Sequence, residues 1–175
     1  MRNIIITGGP GSGKTSLLNK LNDSGFQTFS EVPRFIIKQE LLKNKPVLPW
    51  SDLRSFSELC FIEMMTQKQD ALEFDLSFVD RAIGDILAYL EYGKLKVPEL
   101  YKSEAILGYD NKVFILKPQE NIYEQDEVRP HTFQEALIIH DIISKTYRVL
   151  GFQIFEIPYV SLETQLEMIK KKLIL

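Results

Sequence analysis

Residues 8–15 read Gly-Gly-Pro-Gly-Ser-Gly-Lys-Thr, so Gly8, Gly13, Lys14 and Thr15 fill the fixed positions of the pattern G-x-x-x-x-G-K-[ST]. Each residue type there has a task at a polyphosphate. Glycines let the backbone turn tightly and bring successive N–H groups up to phosphate oxygens. Lysine adds a mobile positive charge for the β- and γ-phosphates, and the threonine hydroxyl is a ligand for Mg²⁺. The expected nucleotide-binding residues are therefore Gly8, Gly9, Pro10, Gly11, Ser12, Gly13, Lys14, Thr15 and Ser16. The alternative, a chance run of small residues in a turn, is disfavoured by the flanks. Asn3-Ile-Ile-Ile-Thr7 has the β-branched character of a doubly buried strand, and Leu17, Leu18 and Leu21 form a helical stripe. A helix opening on such a loop adds its own attraction for anions.

Other chemistry sits after other strand-like runs. Asp80-Arg81 follows Leu76-Ser-Phe-Val79. A carboxylate in that place can hold Mg²⁺, through water because Mg²⁺ dehydrates reluctantly. A surface salt bridge or a helix cap at Ala82 is the plainer alternative. Arg81 is a candidate clamp for a substrate phosphate, or a partner for a neighbouring acid. Glu31 and Arg34 follow Gln27-Thr-Phe-Ser30. Glu31 is placed to orient an acceptor hydroxyl or take its proton, but an acid beside Pro33 in a first helical turn is equally a helix-dipole residue. The polar stretch Lys117–His131 reads as a closing lid whose single arginine, Arg129, would stabilise charge on a transferring phosphoryl group. The plainer reading is a surface loop with Arg129 paired to Asp126 or Glu127. His131 and His140 lack metal-ligand spacing and are expected to be structural or superficial. Trp50, Phe56, Phe61, Met64 and Met65 are candidates for an acceptor wall, with core packing the favoured reading.

These residues need a frame that brings strand ends together. Strands are expected at 3–7, 27–30, 76–79, 112–116 and 152–157. Helices are expected at about 32–43, 51–73 with Ser51 as N-cap, 83–92 and 98–107, from near Thr132, and from about Ser161 with Ser161 or Thr164 as cap. Alternation of this kind implies a parallel sheet covered by helices on both faces, with the glycine loop and the other strand ends along one carboxyl edge. At 175 residues, 45% apolar and 26% charged, the chain suits one α/β domain, 1–175, with a sizeable core. A net charge of −3 and dispersed basic residues argue against a nucleic-acid partner, and Lys170-Lys171-Lys172 reads as a solvated helix face. No apolar run is long enough to span a bilayer, and the apolar N-terminal strand does not read as a signal peptide. The lone Cys60, in an apolar helical pattern, suits packing in a reducing compartment, so a cytoplasmic enzyme is expected. Oligomeric state is not legible.

The succession GGPGSGKTS (8–16), EVPRFI (31–36), FVDRAIGDILAYL (78–90), YDNKVFILKP (109–118), YEQDEVRPHTFQEA (123–136) and GFQIFEIP (151–158) resembles the AAA-domain-type predicted ATPase/kinase family of P-loop NTPases. That family is close to the ribosylnicotinamide kinase domains and to nucleoside and nucleotide kinases. The resemblance implies a three-layer P-loop NTPase fold with a five-stranded parallel sheet in the kinase-like order 2-3-1-4-5. It also implies ATP as co-substrate with Mg²⁺ and a lid-like segment at about 118–132. Residue by residue, Lys14 and Thr15 match the phosphate and magnesium residues, and Asp80-Arg81 the acid–arginine pair. Glu31 matches the carboxylate base and Arg129 a lid arginine. The lid carries one arginine where such kinases commonly carry two or more. No N-K-x-D motif for reading guanine is present, and neither are the sensor elements of ring-forming motors. Two functions follow: a kinase passing the γ-phosphoryl group to a small-molecule acceptor, or a slowly hydrolysing nucleotide switch that controls a protein partner. A nucleic-acid-processing ATPase is disfavoured by the acidity.

Overall fold

A computed structural model describes residues 1–126 and 130–175. The chain runs β1 (Arg2–Gly8), α1 (Lys14–Asp23), β2 (Gln27–Phe29), α2 (Val32–Glu40), α3 (Leu53–Ala71), β3 (Leu76–Asp80), α4 (Ile83–Tyr92) and α5 (Glu99–Glu104). It continues with β4 (Lys112–Leu116), a 3₁₀ turn (Glu120–Ile122), α6 (Phe133–Val149), β5 (Gln153–Ile157) and α7 (Leu162–Leu173). The pairings among these five strands are parallel and the order is β2-β3-β1-β4-β5, as expected.

The central strand shows why the sequence reads as it does. Ile4, Ile5 and Ile6 are all fully buried, because β1 has a strand on each side and helices on each face. Ile4 and Ile6 pack with Phe78 and Phe114 against Leu17 and Leu21 of α1 and Ile169 of α7. Ile5 points the other way, with Val79 and Val113, onto Ile139, Ile143 and Tyr147 of α6. Alternate residues of one strand thus serve two cores. A third apolar cluster, including Phe56, Met64, Ile86 and Tyr101, joins α2 to α5 beside the sheet edge. It forms the far wall of the site described below.

Helix boundaries follow local chemistry. α2 stops at Glu40, earlier than its pattern suggests, because the buried Glu40 carboxylate binds the Lys43 ammonium and accepts from the Val47 N–H at 2.9 Å. The N-cap of α3 is Asp52 and not Ser51. Asp52 accepts from the Ser55 N–H at 3.1 Å, while the Ser51 hydroxyl turns back to the Leu48 carbonyl. Thr132 and Glu135 cap α6 reciprocally, and Ser161 caps α7 through the Thr164 N–H. Lys170 pairs with Glu167, and Lys172 lies over the Phe155 ring. None of the described helices is long and apolar enough to cross a membrane.

Candidate active site

The carboxyl ends of β1, β2 and β3 open on one cavity of about 1050 Å³. Its floor is the glycine loop, Pro10–Ser16, at the start of α1. Lys14 is buried there, its ammonium donating to the carbonyls of Gly8 (3.2 Å) and Gly9 (3.0 Å) and to Ser12 Oγ (3.1 Å). Burial, then the nearby Arg81 cation, lowers its pKa to about 8, against the opposite pull of Asp80, Glu31 and Asp85. Thr15 and Ser16 present exposed side chains on the cavity wall, whereas Gly8 and Gly9 lie behind the loop. His140 braces the loop from behind, its Nδ1 accepting from the Gly9 N–H at 3.4 Å, and burial lowers its pKa. The segment after β4 lies against the loop as well. The Gln119 N–H donates to the Gly11 carbonyl at 3.1 Å. At Gly11, with φ +71°, a Cβ would fall 2.3 Å from the Tyr123 ring, so only glycine admits that approach.

Arg81 organises the opposite side. Its backbone is left-handed (φ 67°) and its N–H continues the sheet to the Ile6 carbonyl, which turns the side chain back under the loop. Nε donates to Glu31 Oε1 at 2.8 Å, and Nη1 donates to Asp85 Oδ1 at 2.8 Å and to the Gly8 carbonyl at 3.1 Å. The guanidinium also lies over the Tyr89 ring. Burial alone would raise the Glu31 pKa. The Arg81 cation, assisted by Lys14 and Arg34, outweighs it and holds the carboxyl below its usual range. Among the described residues only Oε1 of Glu31 accepts a hydrogen bond, and its side chain lines the cavity.

Asp85 escaped the sequence reading. It is 1% exposed and accepts from four donors: Thr7 Oγ1 at 2.6 Å, Arg81 Nη1, the Ala82 N–H at 3.1 Å and Tyr147 Oη at 2.7 Å. It therefore takes the role of capping α4 that was the alternative for Asp80. The signal for it was an acid in the first turn of a predicted helix, which spacing alone does not separate from an ordinary cap.

Asp80 lies beneath the cavity and not on its wall. It is 2% exposed, Oδ1 has no hydrogen-bond partner among the described residues, and burial, then the Glu31 charge, raises its pKa to about 7. An orphaned buried carboxylate oxygen and the Thr15 hydroxyl are hard donors of the kind Mg²⁺ takes. Among the described residues no group of three or more His, Cys, Asp or Glu could hold a metal unaided. A cation here would draw its remaining ligands from phosphates and water.

The other candidates divide. Trp50, Phe56 and Met64 line the cavity, while Phe61 stacks on Tyr101 at 4.0 Å and Met65 packs in the helical cluster. Trp50, favoured as core, is 48% exposed and sits in the loop before α3. Phe56 and Met64 are buried as expected and face the cavity too. Cys60 is buried on the same wall, and burial pushes its thiol pKa up, consistent with packing and not reactivity. His131 sets its ring edge-on to Tyr89 and Tyr92 and lines the cavity; burial lowers its pKa. Arg34 pairs with Asp126 at 2.8 Å, bridging α2 to the segment after β4. Arg129 lies outside the described residues.

A family model described as AAA domain matches residues 3–165. Among solved structures, deoxyadenosine kinase from M. mycoides, with dCMP and dCDP bound, superposes with a TM-score of 0.70 at 14% identity, covering 98% of each chain. Shikimate kinase from Acinetobacter baumannii gives 0.61 at 14%, covering 99% of this chain and 93% of that one. Thymidylate kinase from Ehrlichia chaffeensis gives 0.60 at 18%, covering 98% of each. At such identities the likeness is one of fold.

Proposed function

The chain belongs to the AAA-domain family, and from that premise we propose that it transfers the γ-phosphoryl group of ATP to the hydroxyl of a small-molecule acceptor. One observation carries the reading. A carboxylate fixed by a guanidinium, Glu31 on Arg81, faces the same cavity as the glycine loop. A site that only bound a triphosphate has no need of a carboxylate oriented into the cavity, whereas attack on the γ-phosphorus needs a group that aims the nucleophile.

In this reading the N–H groups of residues 11–16 and the Lys14 ammonium hold the β- and γ-phosphates, Lys14 exchanging its carbonyl partners for phosphate oxygens. Mg²⁺, held by Thr15 and through water by Asp80, would neutralise charge on the β- and γ-oxygens. The acceptor hydroxyl donates to Glu31. Its oxygen bonds to γ-phosphorus as the bond to the β,γ-bridging oxygen breaks, ADP leaves, and the hydroxyl proton passes to Glu31 and then to water. Arg81 fixes Glu31 and places positive charge close to the loop. The segment at about 118–132 acts as a lid over a single domain, and Arg129 is assigned to the γ-phosphoryl group from within it. The buried, unpaired Cys60 fits a cytoplasmic setting.

The test is a screen for phosphorylated product by mass spectrometry with Mg²⁺ and ATP over nucleosides, nucleotides and cofactor precursors. Product that disappears in Glu31→Gln, with ATP affinity kept within about threefold, is expected because Glu31 touches the acceptor and not the phosphates. ATP hydrolysis with no product from any acceptor would overturn transfer in favour of a nucleotide switch.

A further inference from the structure

On the reading that this cavity is a phosphoryl-transfer site, we infer that its acceptor is an uncharged alcohol with a planar or apolar body, and not a phosphate ester or a carboxylic acid. Each cation on the described wall already has a partner. Lys14 belongs to the glycine loop, Arg34 is paired with Asp126, and Arg81 is held by both Glu31 and Asp85. Half-buried beside the Tyr89 and Tyr92 rings, His131 has its pKa lowered, which favours the neutral form. Past Glu31 the wall turns apolar: Trp50, Leu53, Phe56, Met64 and Ile86.

An anionic head group placed there would lose its water without gaining a counter-charge, and would face the Glu31 carboxylate. Arg81 does not relieve this, because its single positive charge is already set against two carboxylates, Glu31 and Asp85, each at 2.8 Å. An uncharged hydroxyl meets the opposite situation. It donates to Glu31, and the rest of the molecule lies on rings and aliphatic chains. The three solved relatives differ on this point by their names alone, since thymidylate and shikimate carry negative charge and deoxyadenosine does not.

The experiment uses matched pairs: thymidine with dTMP, deoxyadenosine with dAMP, benzyl alcohol with benzyl phosphate, and shikimate with its methyl ester. Binding is measured by calorimetry to the protein loaded with Mg²⁺ and a non-hydrolysable ATP analogue, and product by mass spectrometry with ATP. In every pair that binds, the uncharged member is expected to bind about 100-fold or more tightly, the factor set by leaving a buried charge unpaired. Equal or tighter binding of the charged member, or no binding by any uncharged member, overturns the inference. A diphosphate formed from dTMP or dAMP overturns it while leaving the transfer reading intact. Preferential binding of uncharged members without product supports it and removes transfer instead. Trp50→Arg, at a half-exposed wall position, is expected to narrow the ratio at least tenfold, and an unchanged ratio counts against the inference.

Discussion

Replacing Asp85 by asparagine removes one charge and no bulk from the centre of the Arg81 cluster. All four partners of the carboxylate are donors, two on each oxygen: Thr7 and Arg81 on Oδ1, Ala82 and Tyr147 on Oδ2. An asparagine keeps one oxygen for the first two. Its amide then meets the Tyr147 hydroxyl, which can rotate to accept, and the Ala82 N–H, which cannot. Arg81 is left buried with Glu31 as its remaining ion-pair partner among the described residues. Removing one partner of a buried ion pair costs roughly 3–5 kcal/mol, and the remaining Glu31 contact argues for the lower end, about 3 kcal/mol. For a chain of this size that corresponds to a fall in Tm of roughly 6–12 °C. Thermal unfolding of the ligand-free protein at pH 7 reads it directly. Because Arg81 also fixes Glu31, kcat for transfer is expected to fall while the affinity for ATP holds. A Tm within about 2 °C of the parent together with unchanged kcat would refute the reasoning, since Arg81 would then be held by something other than Asp85.

Lys14→Ala is expected to weaken ATP binding by roughly 100-fold in calorimetry, the loss of charge-assisted contacts to phosphate oxygens; binding unchanged would remove the phosphate-loop assignment. Asp80 gives a pH signature. Its pKa is raised in the fold to about 7, so between the ordinary carboxylate range and pH 7 the folded protein holds a proton that the unfolded chain has released. Its contribution is therefore full at low pH and lost as pH rises through about 7, and Asp80→Asn should flatten the decline in Tm between pH 5 and 8. A decline as steep in the variant would assign it to other groups. Gly84→Ala should cost about 1–3 kcal/mol by overpacking, because its Cβ would lie 2.6 Å from Cζ of Tyr147. A urea midpoint equal to the parent's would show that Tyr147 moves aside at no cost.

What was legible in the sequence is what short spacing controls. The run Asn3–Thr7 announces a doubly buried strand, and Glu31 and Asp80-Arg81 draw attention because parallel topology carries strand ends to one edge. The pairing of Arg81 with a neighbouring acid was one of two open readings, and the structure supplies it twice over. Asp85 was not legible for a definite reason. Thr7 lies 78 residues before it and Tyr147 lies 62 after it, so its partners are set by packing of β1, α4 and α6 and by no local pattern. The same holds for the far wall of the cavity, whose side chains come from α2, α3, α4 and the loops beside them. Trp50 reads as core by residue type, and only the position of α3 decides that it faces the cavity.

The pairing of Glu31 with Arg81 bears on how the proposed transfer would run. A strong general base would need a pKa near the working pH, yet Arg81 holds Glu31 below the ordinary carboxylate range. A weak base suffices only if the hydroxyl keeps its proton until bond making is well advanced. That is the situation in a loose, metaphosphate-like transition state, where the nucleophile carries little charge until late. In the proposed transfer Glu31 would work chiefly by aiming the hydroxyl oxygen at phosphorus, and its proton affinity would matter only as the new bond closes. A guanidinium that lowers that affinity is no handicap, because the same contact removes the rotational freedom of the carboxylate. On this logic the Arg81–Glu31 pair is a positioning device whose value lies in its rigidity. The four-donor grip on Asp85 extends that rigidity into β1 and α6.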